Sequence, residues 1–143
     1  MTNDEIKKAI CKIVENAKVF IYITVDAQGN PHSRYMGGLI TEDGVIYMAT
    51  ASNARKVQQI KSNPNSELLF AGDEYKEVAT LEGESEITES LELKKQFWQA
   101  IPACKDYFSN YDAPEFALIG FRPKSAEYLN LALQHEPFAV SMP

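Results

Sequence analysis

The sequence contains few of the residues from which disulfide frameworks and metal sites are built. Its 143 residues include two cysteines, Cys11 and Cys104, and two histidines, His32 and His135. Two distant thiols without a CxxC pair cannot form a disulfide framework, and a compact Cys/His metal site has no support in the sequence. We expect both cysteines to be reduced and buried, and we expect no metal site.

Long apolar runs and an excess of basic residues are also missing. No segment approaches the ~20 apolar residues of a membrane span. Lys7, Lys8 and Lys12 interrupt the N-terminal stretch in which a signal peptide would lie. Fourteen Lys and Arg against 20 Asp and Glu give a net charge of −6, which disfavours phosphate backbones and anionic lipids. These absences predict a cytoplasmic protein that binds neither nucleic acid nor membrane.

The composition that remains is that of an ordinary globular protein. Apolar residues make up 45% of the chain and charged residues 24%, which excludes the disordered and fibrous classes. A length of 143 residues suits one domain, and the chain has no internal repeat, linker or low-complexity tract. We therefore predict a single domain over residues 1–143.

Capping residues and apolar periodicity predict three helices. Thr2 and Glu5 form a capping-box pattern ahead of an apolar stripe of helical spacing. Ser52 or Asn53 can cap a second helix, and Thr88 can cap a third. The three helices are expected to end near Asn16, Asn63-Pro64 and Pro102.

Seven runs with the composition of β-strands account for much of the remaining chain. They are Val19–Val25, His32–Ile40, Val45–Thr50, Glu67–Ala71, Val78–Ile87, Phe116–Phe121 and Ala126–Leu133. The first three are expected to form an antiparallel meander, Gly83 to mark a bulge, and Arg122–Ser125 to turn between the last two. The pattern predicts a mainly β, α+β protein: a small barrel of about six to seven antiparallel strands with three flanking helices.

Basic residues are concentrated in one part of this acidic chain. Residues 27–66 have a local charge of +2, so the remainder has −8. Arg55 and Lys56 open the second helix, where free N–H groups and the helix dipole already favour an anion. Arg34 lies on a neighbouring strand, where it is either at the rim or paired with a negative group. Either a phosphate-like anion binds here, or these side chains are merely solvated.

Five short motifs follow one another in the order and spacing of a known family. They are His32-Ser33-Arg34-x-Met36, Tyr47-Met48-Ala49-Thr50, Ala54-Arg55-Lys56-Val57-x-x-Ile60, Asn63-Pro64 and Phe121-Arg122-Pro123-Lys124-x-Ala126-Glu127-Tyr128. Over roughly Val19 to Leu133, the chain resembles the pyridoxamine 5′-phosphate oxidase-like, FMN-binding split barrels, and within them the small general stress protein branch.

The resemblance implies a homodimer of split β-barrels with FMN at the subunit interface. Carried over by position, Arg34 and Lys56 hold the FMN phosphate, helped by Arg55 and the region of Ser52. This agrees with the anion site that the clustering of basic residues suggests. Two separate lines of reasoning therefore point to a phosphate at the start of the second helix.

The resemblance also implies where the flavin ring lies. The backbone of Tyr35 and Met36, with Ala49 and Thr50, is expected to line the isoalloxazine ring. No residue of the chain stands out as a general acid or base beside that ring. The electron donor, the acceptor and the substrate are not identified by the sequence.

Three departures from the family argue against vitamin B6 oxidation. Leu129 stands where relatives often have tryptophan, and Leu39 replaces a polar residue that the true oxidases use near the flavin. A C-terminal arginine-bearing segment that recognises pyridoxal-type substrates does not precede Pro143. We expect an FMN-dependent oxidoreductase acting on another small molecule. The alternative is a non-catalytic binding module of the same fold for flavin, deazaflavin or haem, the last through His32 or His135.

Overall fold

Three α-helices and eight strands make up the computed structural model, which describes residues 1–142. The helices are α1 (Asn3–Asn16), α2 (Arg55–Ser62) and α3 (Leu91–Ala100). The strands are β1 (Val19–Val25), β2 (Pro31–Gly37), β3 (Ile40–Glu42), β4 (Val45–Ala51), β5 (Asn65–Ala71), β6 (Glu77–Thr88), β7 (Phe116–Asn130) and β8 (Phe138–Ser141). The mainly β, α+β class with three helices is confirmed.

The strands form one antiparallel sheet that curls so that its two edges meet at the short connection between β2 and β3. The order of pairing is β2-β1-β5-β6-β7-β4-β3, and β8 pairs with β7 beside this path. Only Gly38 and Leu39 connect β2 to β3, so the Cα atoms of Gly37 and Ile40 are at most about 11 Å apart. Gly38 has a φ of +80°, in the left-handed region that favours glycine. Because no strand pairing joins β2 to β3 within residues 1–142, the barrel is split along this seam.

The predicted meander of the first three strands is wrong. β1 and β2 pair as expected, with Tyr22 opposite Arg34, but β4 pairs with β3 and β7 instead of with β2. The predicted strand His32–Ile40 is broken at Gly38, where the chain leaves one edge of the sheet and enters the other. The corner at Gly38 therefore places β3 and β4 at the opposite end of the pairing order from β2.

The predicted turn at Arg122–Ser125 is also wrong, because β7 is a single strand of 15 residues. A proline normally interrupts a strand, since it cannot donate a ladder hydrogen bond. Here Pro123 lies opposite Gly83, where the register between β6 and β7 shifts. The bulge that Gly83 predicts is thus confirmed, and it lets the strand accommodate the proline.

Helix caps agree with the sequence at one helix and differ at two. Thr2 Oγ1 accepts from the Glu5 N–H at 3.1 Å, as expected for α1. Ala54 is the N-cap of α2, and no side chain caps this helix. Ser90, instead of Thr88, caps α3 by accepting from the Leu93 N–H at 3.3 Å. Ser90 competes successfully because it stands immediately before the first helical residue.

Two apolar clusters stabilise the sheet from opposite sides. In the barrel interior, α1 packs through Ile10 and Ile13 against strand residues that include the stacked pair Phe20 and Phe70. Under α3, Phe116 is the centre of a second cluster of buried and half-buried side chains. Its other members are Phe97, Cys104, Leu118, Ile40, Tyr47, Ala49, Leu93, Trp98, Ile101, Phe108 and Tyr111. The two clusters leave the outer face of β1, β2 and β5 without a packed layer.

Two further expectations from the sequence concern the burial of the two cysteines and the presence of a membrane-spanning helix. Cys104 is buried, whereas Cys11 is exposed on α1, so the expectation that both thiols are buried is wrong for Cys11. Burial raises the pKa of the Cys104 thiol. Within residues 1–142, no helix combines the length and the apolar character needed to cross a bilayer.

We predict that Gly83→Ala destabilises the protein by about 3 kcal/mol or more, because overpacking against backbone cannot be relieved by a rotamer change. An added Cβ would fall on the Arg122 carbonyl oxygen and lie 2.9 Å from the Pro123 Cα. Gly37→Ala is the control, since its Cβ would meet only the Lys18 carbonyl oxygen at 3.8 Å. Urea unfolding of both variants is the measurement. Equal, small losses would contradict the packing described for the bulge.

The turn between β1 and β2 is organised by one carboxylate. Asp26 Oδ1 accepts from the Gln28 and Asn30 backbone N–H groups, each at 2.9 Å, and Oδ2 lies 2.9 Å from His32 Nε2. The hydrogen bond with His32, followed by the backbone donors, lowers the pKa of Asp26 to about 2. The ionised carboxylate therefore stabilises the folded state.

We predict that Asp26→Asn lowers stability in a pH-dependent way. A carboxyl group whose pKa is depressed by folding stabilises the protein above its unfolded pKa of about 4. This contribution is lost as the pH falls through the folded pKa of about 2. The difference in free energy of unfolding between wild type and variant should be full above about pH 4 and shrink below it. Asp43→Asn, in an exposed turn, controls for net charge; a difference independent of pH would contradict the assignment.

Candidate functional site

Helix α2 begins with two basic residues and no group to balance them. Its first turn contains Arg55 and Lys56 and no acidic residue, and its N-cap Ala54 offers no side-chain acceptor. Helix N-termini have free N–H groups and a partial positive charge, so cations there are unfavourable. The start of α2 therefore combines three sources of positive potential that nothing in the helix offsets.

Lys56 reaches from α2 back to the end of β4. Its side chain is half-buried, and Nζ donates to Thr50 Oγ1 at 2.7 Å. Burial, and then the nearby charge of Arg34, lower the pKa of the ammonium group. Thr50 is itself buried, so the hydroxyl fixes the ammonium group at the rim of the barrel.

Arg34 approaches the same place from β2, alongside β1. Its Nη1 donates to Thr24 Oγ1 at 2.8 Å, to the His32 carbonyl at 3.0 Å and to the Tyr22 carbonyl at 3.3 Å. Its Nη2 donates to Gln59 Oε1 at 3.3 Å. Burial lowers the pKa of Arg34, and the charge of Arg55 lowers it further. The guanidinium is held by neutral acceptors alone.

No carboxylate within residues 1–142 pairs with Arg34, Arg55 or Lys56. The ion pairs within residues 1–142 are His32–Asp26, Lys76–Glu74 and Lys124–Glu84. Desolvating a charge is unfavourable unless an opposite charge compensates it. Two half-buried cations that lack an acidic partner, one of which lowers the pKa of the other, form a site whose chemistry suits an anion with several oxygen atoms.

Of the eight residues predicted for the site, four come together and four do not. Arg34, Thr50, Arg55 and Lys56 come together: Lys56 bonds to Thr50, the charge of Arg34 lowers the pKa of Lys56, and the charge of Arg55 lowers the pKa of Arg34. The Tyr35 side chain is 77% exposed on the opposite face of β2.

Within the described residues, the other three predicted residues form no side-chain hydrogen bond with this group. Met36 is buried in the barrel interior, and Ala49 packs against the cluster under α3. Ser52 is exposed, and its backbone N–H donates to the Glu115 carbonyl at 2.9 Å.

A buried polar network beneath Arg34 was not predicted from the sequence. Tyr22 donates to Ser85 Oγ at 2.6 Å, and Ser66 Oγ lies 2.6 Å from Ser85 Oγ. Burial raises the pKa of Tyr22 to about 12, so its hydroxyl stays protonated. Gln59 was missed as well, although it is a polar residue between the inward-facing Val57 and Ile60 of α2. That interruption of the apolar face is the one sequence signal that could have revealed it.

Comparison with known proteins gives the same family as the motifs. The family model for pyridoxamine 5′-phosphate oxidase matches residues 6–130. The chain is 31% identical over 137 residues to general stress protein 26 of Bacillus subtilis strain 168, a match that covers 91% of this chain and 92% of the relative.

Solved structures agree on the fold. The crystal structure of general stress protein 26 from Bacillus anthracis str. Sterne has a TM-score of 0.78 at 27% identity and covers 94% of this chain and 97% of that one. A haem-binding protein from Mycobacterium smegmatis has a TM-score of 0.72 at 17% identity, over 90% of this chain and 55% of that one, and shows the fold alone. With the family model spanning most of its length, the chain belongs to the pyridoxamine 5′-phosphate oxidase family.

Proposed function

We propose that this chain is a cytoplasmic FMN-binding protein that holds the flavin phosphate on Arg34 and Lys56. The observation that carries the proposal is the pair of half-buried cations without an acidic partner in residues 1–142. A phosphate group would compensate both charges and accept from the free N–H groups at the start of α2. Membership of a family that commonly binds flavin supports the same ligand.

We propose further that the bound flavin takes part in an oxidoreductase reaction on a small molecule. FMN supplies hydride and electron transfer when bound, while the protein supplies binding and orientation. Strand β2 is an edge of the sheet, so one row of its backbone groups faces away from β1. These groups, in the Tyr35 and Met36 segment, are the donors and acceptors that we assign to the ring.

The second candidate function is a flavin-binding module without turnover. Tyr22, whose ring lies below the Arg34 guanidinium, is a poor proton carrier at neutral pH. Tyr22 is fully buried with a pKa near 12, and the His32 Nε2 is engaged by Asp26. This favours binding over catalysis unless the substrate or solvent supplies the proton. Reduction of the bound flavin by NADH or NADPH, with and without an added acceptor, distinguishes the two functions.

Haem, which a relative of the same fold binds, is the third ligand to consider. A haem ligand needs a histidine with an available ring nitrogen. His135 has both nitrogens engaged, one accepting from the Asn130 N–H at 3.1 Å and the other 2.6 Å from the Glu136 carbonyl. Its ring also stacks on Phe138 at 4.4 Å between centroids. These contacts of His135 favour FMN over haem.

We propose that the protein is a homodimer with FMN at the subunit interface. The outer face of the sheet presents half-buried apolar side chains that belong to neither core cluster. They include Ile21, Ile23, Val25 and Leu69. A second subunit packed on this face, beside the edge strand β2, would enclose the site at Arg34 and Lys56.

We predict that Arg34→Ala and Lys56→Met each weaken FMN binding by about 1.5–3 kcal/mol, the range for a charge-assisted hydrogen bond. Lys61→Met is the matched control, because Lys61 is exposed in the last turn of the same helix. Flavin fluorescence during titration with FMN is the measurement. Riboflavin, which has no phosphate, should bind all four proteins alike. FMN affinity unchanged in both site variants would overturn the assignment of the site.

We predict that Leu69→Glu converts a dimer into a monomer, because a further carboxylate beside the half-buried Glu67 would be buried at the interface without an opposite charge. Leu69 pairs with Ile21 across β1 and β5 on this face. Sedimentation equilibrium should give twice 16.0 kDa for the wild type and 16.0 kDa for the variant. Thr41→Glu, on exposed β3, controls for charge. A wild-type protein that is monomeric at micromolar concentration would contradict the dimer proposal.

A further inference from the structure

A buried carboxamide on α2 holds the Arg34 guanidinium from below. Gln59 is only 6% exposed, and its Oε1 accepts from Thr24 Oγ1 at 2.5 Å and from Arg34 Nη2 at 3.3 Å. Thr24 is fully buried and accepts in turn from Arg34 Nη1 at 2.8 Å. Three side chains from β1, β2 and α2 therefore form a closed triangle of hydrogen bonds. A planar guanidinium held at two of its nitrogens has little freedom to rotate.

The other buried residues of α2 are apolar. Val57 and Ile60 are buried on either side of Gln59, so packing alone would be satisfied by an aliphatic residue. A buried carboxamide is unfavourable unless its polar atoms are bonded. Gln59 is therefore best explained by the bonds that it makes to Thr24 and Arg34.

The neutrality of the Gln59 side chain is as informative as its position. Glutamate has the same shape and could accept the same two hydrogen bonds, but it would form an ion pair with Arg34. Gln59 and the three other acceptors around the guanidinium are all uncharged. They satisfy its N–H groups without cancelling its charge. The positive potential of Arg34 thus stays available to a ligand.

We propose that Gln59 is a positioning residue that orients the Arg34 guanidinium while leaving its charge uncompensated, so that the site recognises an anionic group. The inference rests on the proposed binding of a phosphate-bearing ligand at Arg34 and Lys56. It adds that the strength of this binding is set by a residue that does not touch the ligand. Gln59 acts through Arg34, and its contribution to FMN affinity disappears when Arg34 is replaced.

The test compares Gln59→Glu with Gln58→Glu. The two variants add the same charge to adjacent positions of α2, but Gln58 is exposed and makes no side-chain bond to Arg34. We expect Gln59→Glu to weaken FMN binding by about tenfold or more, because the new carboxylate competes with the phosphate for Arg34. Gln58→Glu should change it by less than about twofold, as exposed charges do.

Riboflavin separates positioning from a general structural effect. If Gln59 merely supports the fold, Gln59→Glu weakens FMN and riboflavin equally. If Gln59 acts through Arg34, only FMN binding falls, and Gln59→Leu gives an intermediate loss because it frees the guanidinium without neutralising it. Equal losses for both flavins, or an unchanged FMN affinity in Gln59→Glu, would overturn the inference.

A ligand-free measurement tests the inference independently of flavin. In thermal unfolding of the apoprotein, Gln59→Glu should raise the melting temperature when Arg34 is present, because the new carboxylate compensates a half-buried cation. In an Arg34→Ala background it should lower the melting temperature, because the carboxylate is then buried without a partner. The same sign in both backgrounds would refute the coupling. A wild-type protein that binds no FMN would overturn the proposed function, while the unfolding data would still decide the role of Gln59.

Discussion

The two-residue connection between β2 and β3 is the constraint on which the rest of the structure depends. Sheet order places these strands at opposite ends of a path of seven strands, yet Gly38 and Leu39 hold them together. The sheet has to curl to satisfy this connection, and helix α2 packs against β1 and β6 of the curled sheet. Arg34 bonds to Thr24 of β1 and to Gln59 of α2. Arg34 and Lys56, 22 positions apart in sequence, are therefore brought together where α2 packs beside β1.

The cation pair sits in an arrangement that the protein alone leaves electrostatically unsatisfied. Thr50, Thr24 and Gln59 orient the two positive groups with hydrogen bonds, but none of them offsets a charge. A local conflict of this kind is typical of functional sites, where stability is given up in favour of ligand recognition. The same acceptors that hold the two cations in place also determine how much of their positive potential remains available to a ligand.

Local patterns predicted local structure, and long-range pairing was beyond them. Strand β1 was predicted to the residue, and Thr2 caps α1 as expected, because neighbouring residues decide both features. The meander failed because one left-handed glycine redirects the chain to the far edge of the sheet, which no periodicity records. Arg34 and Lys56 could be singled out because clustered positive charge is visible in an acidic sequence. Gln59 was not singled out: it stands between the apolar Val57 and Ile60, but the partners that explain it lie 35 and 25 residues away.

The last strand has a consequence for the protein that is separate from ligand binding. β4 pairs with β7 only from Phe116 to Phe121, so the second half of this long strand would otherwise present bare N–H and C=O groups along one side. β8 pairs with Ser125 to Tyr128 and covers that side. An uncovered edge of this length is a template on which strands of other molecules can add. The short C-terminal strand is thus a guard against edge-to-edge aggregation.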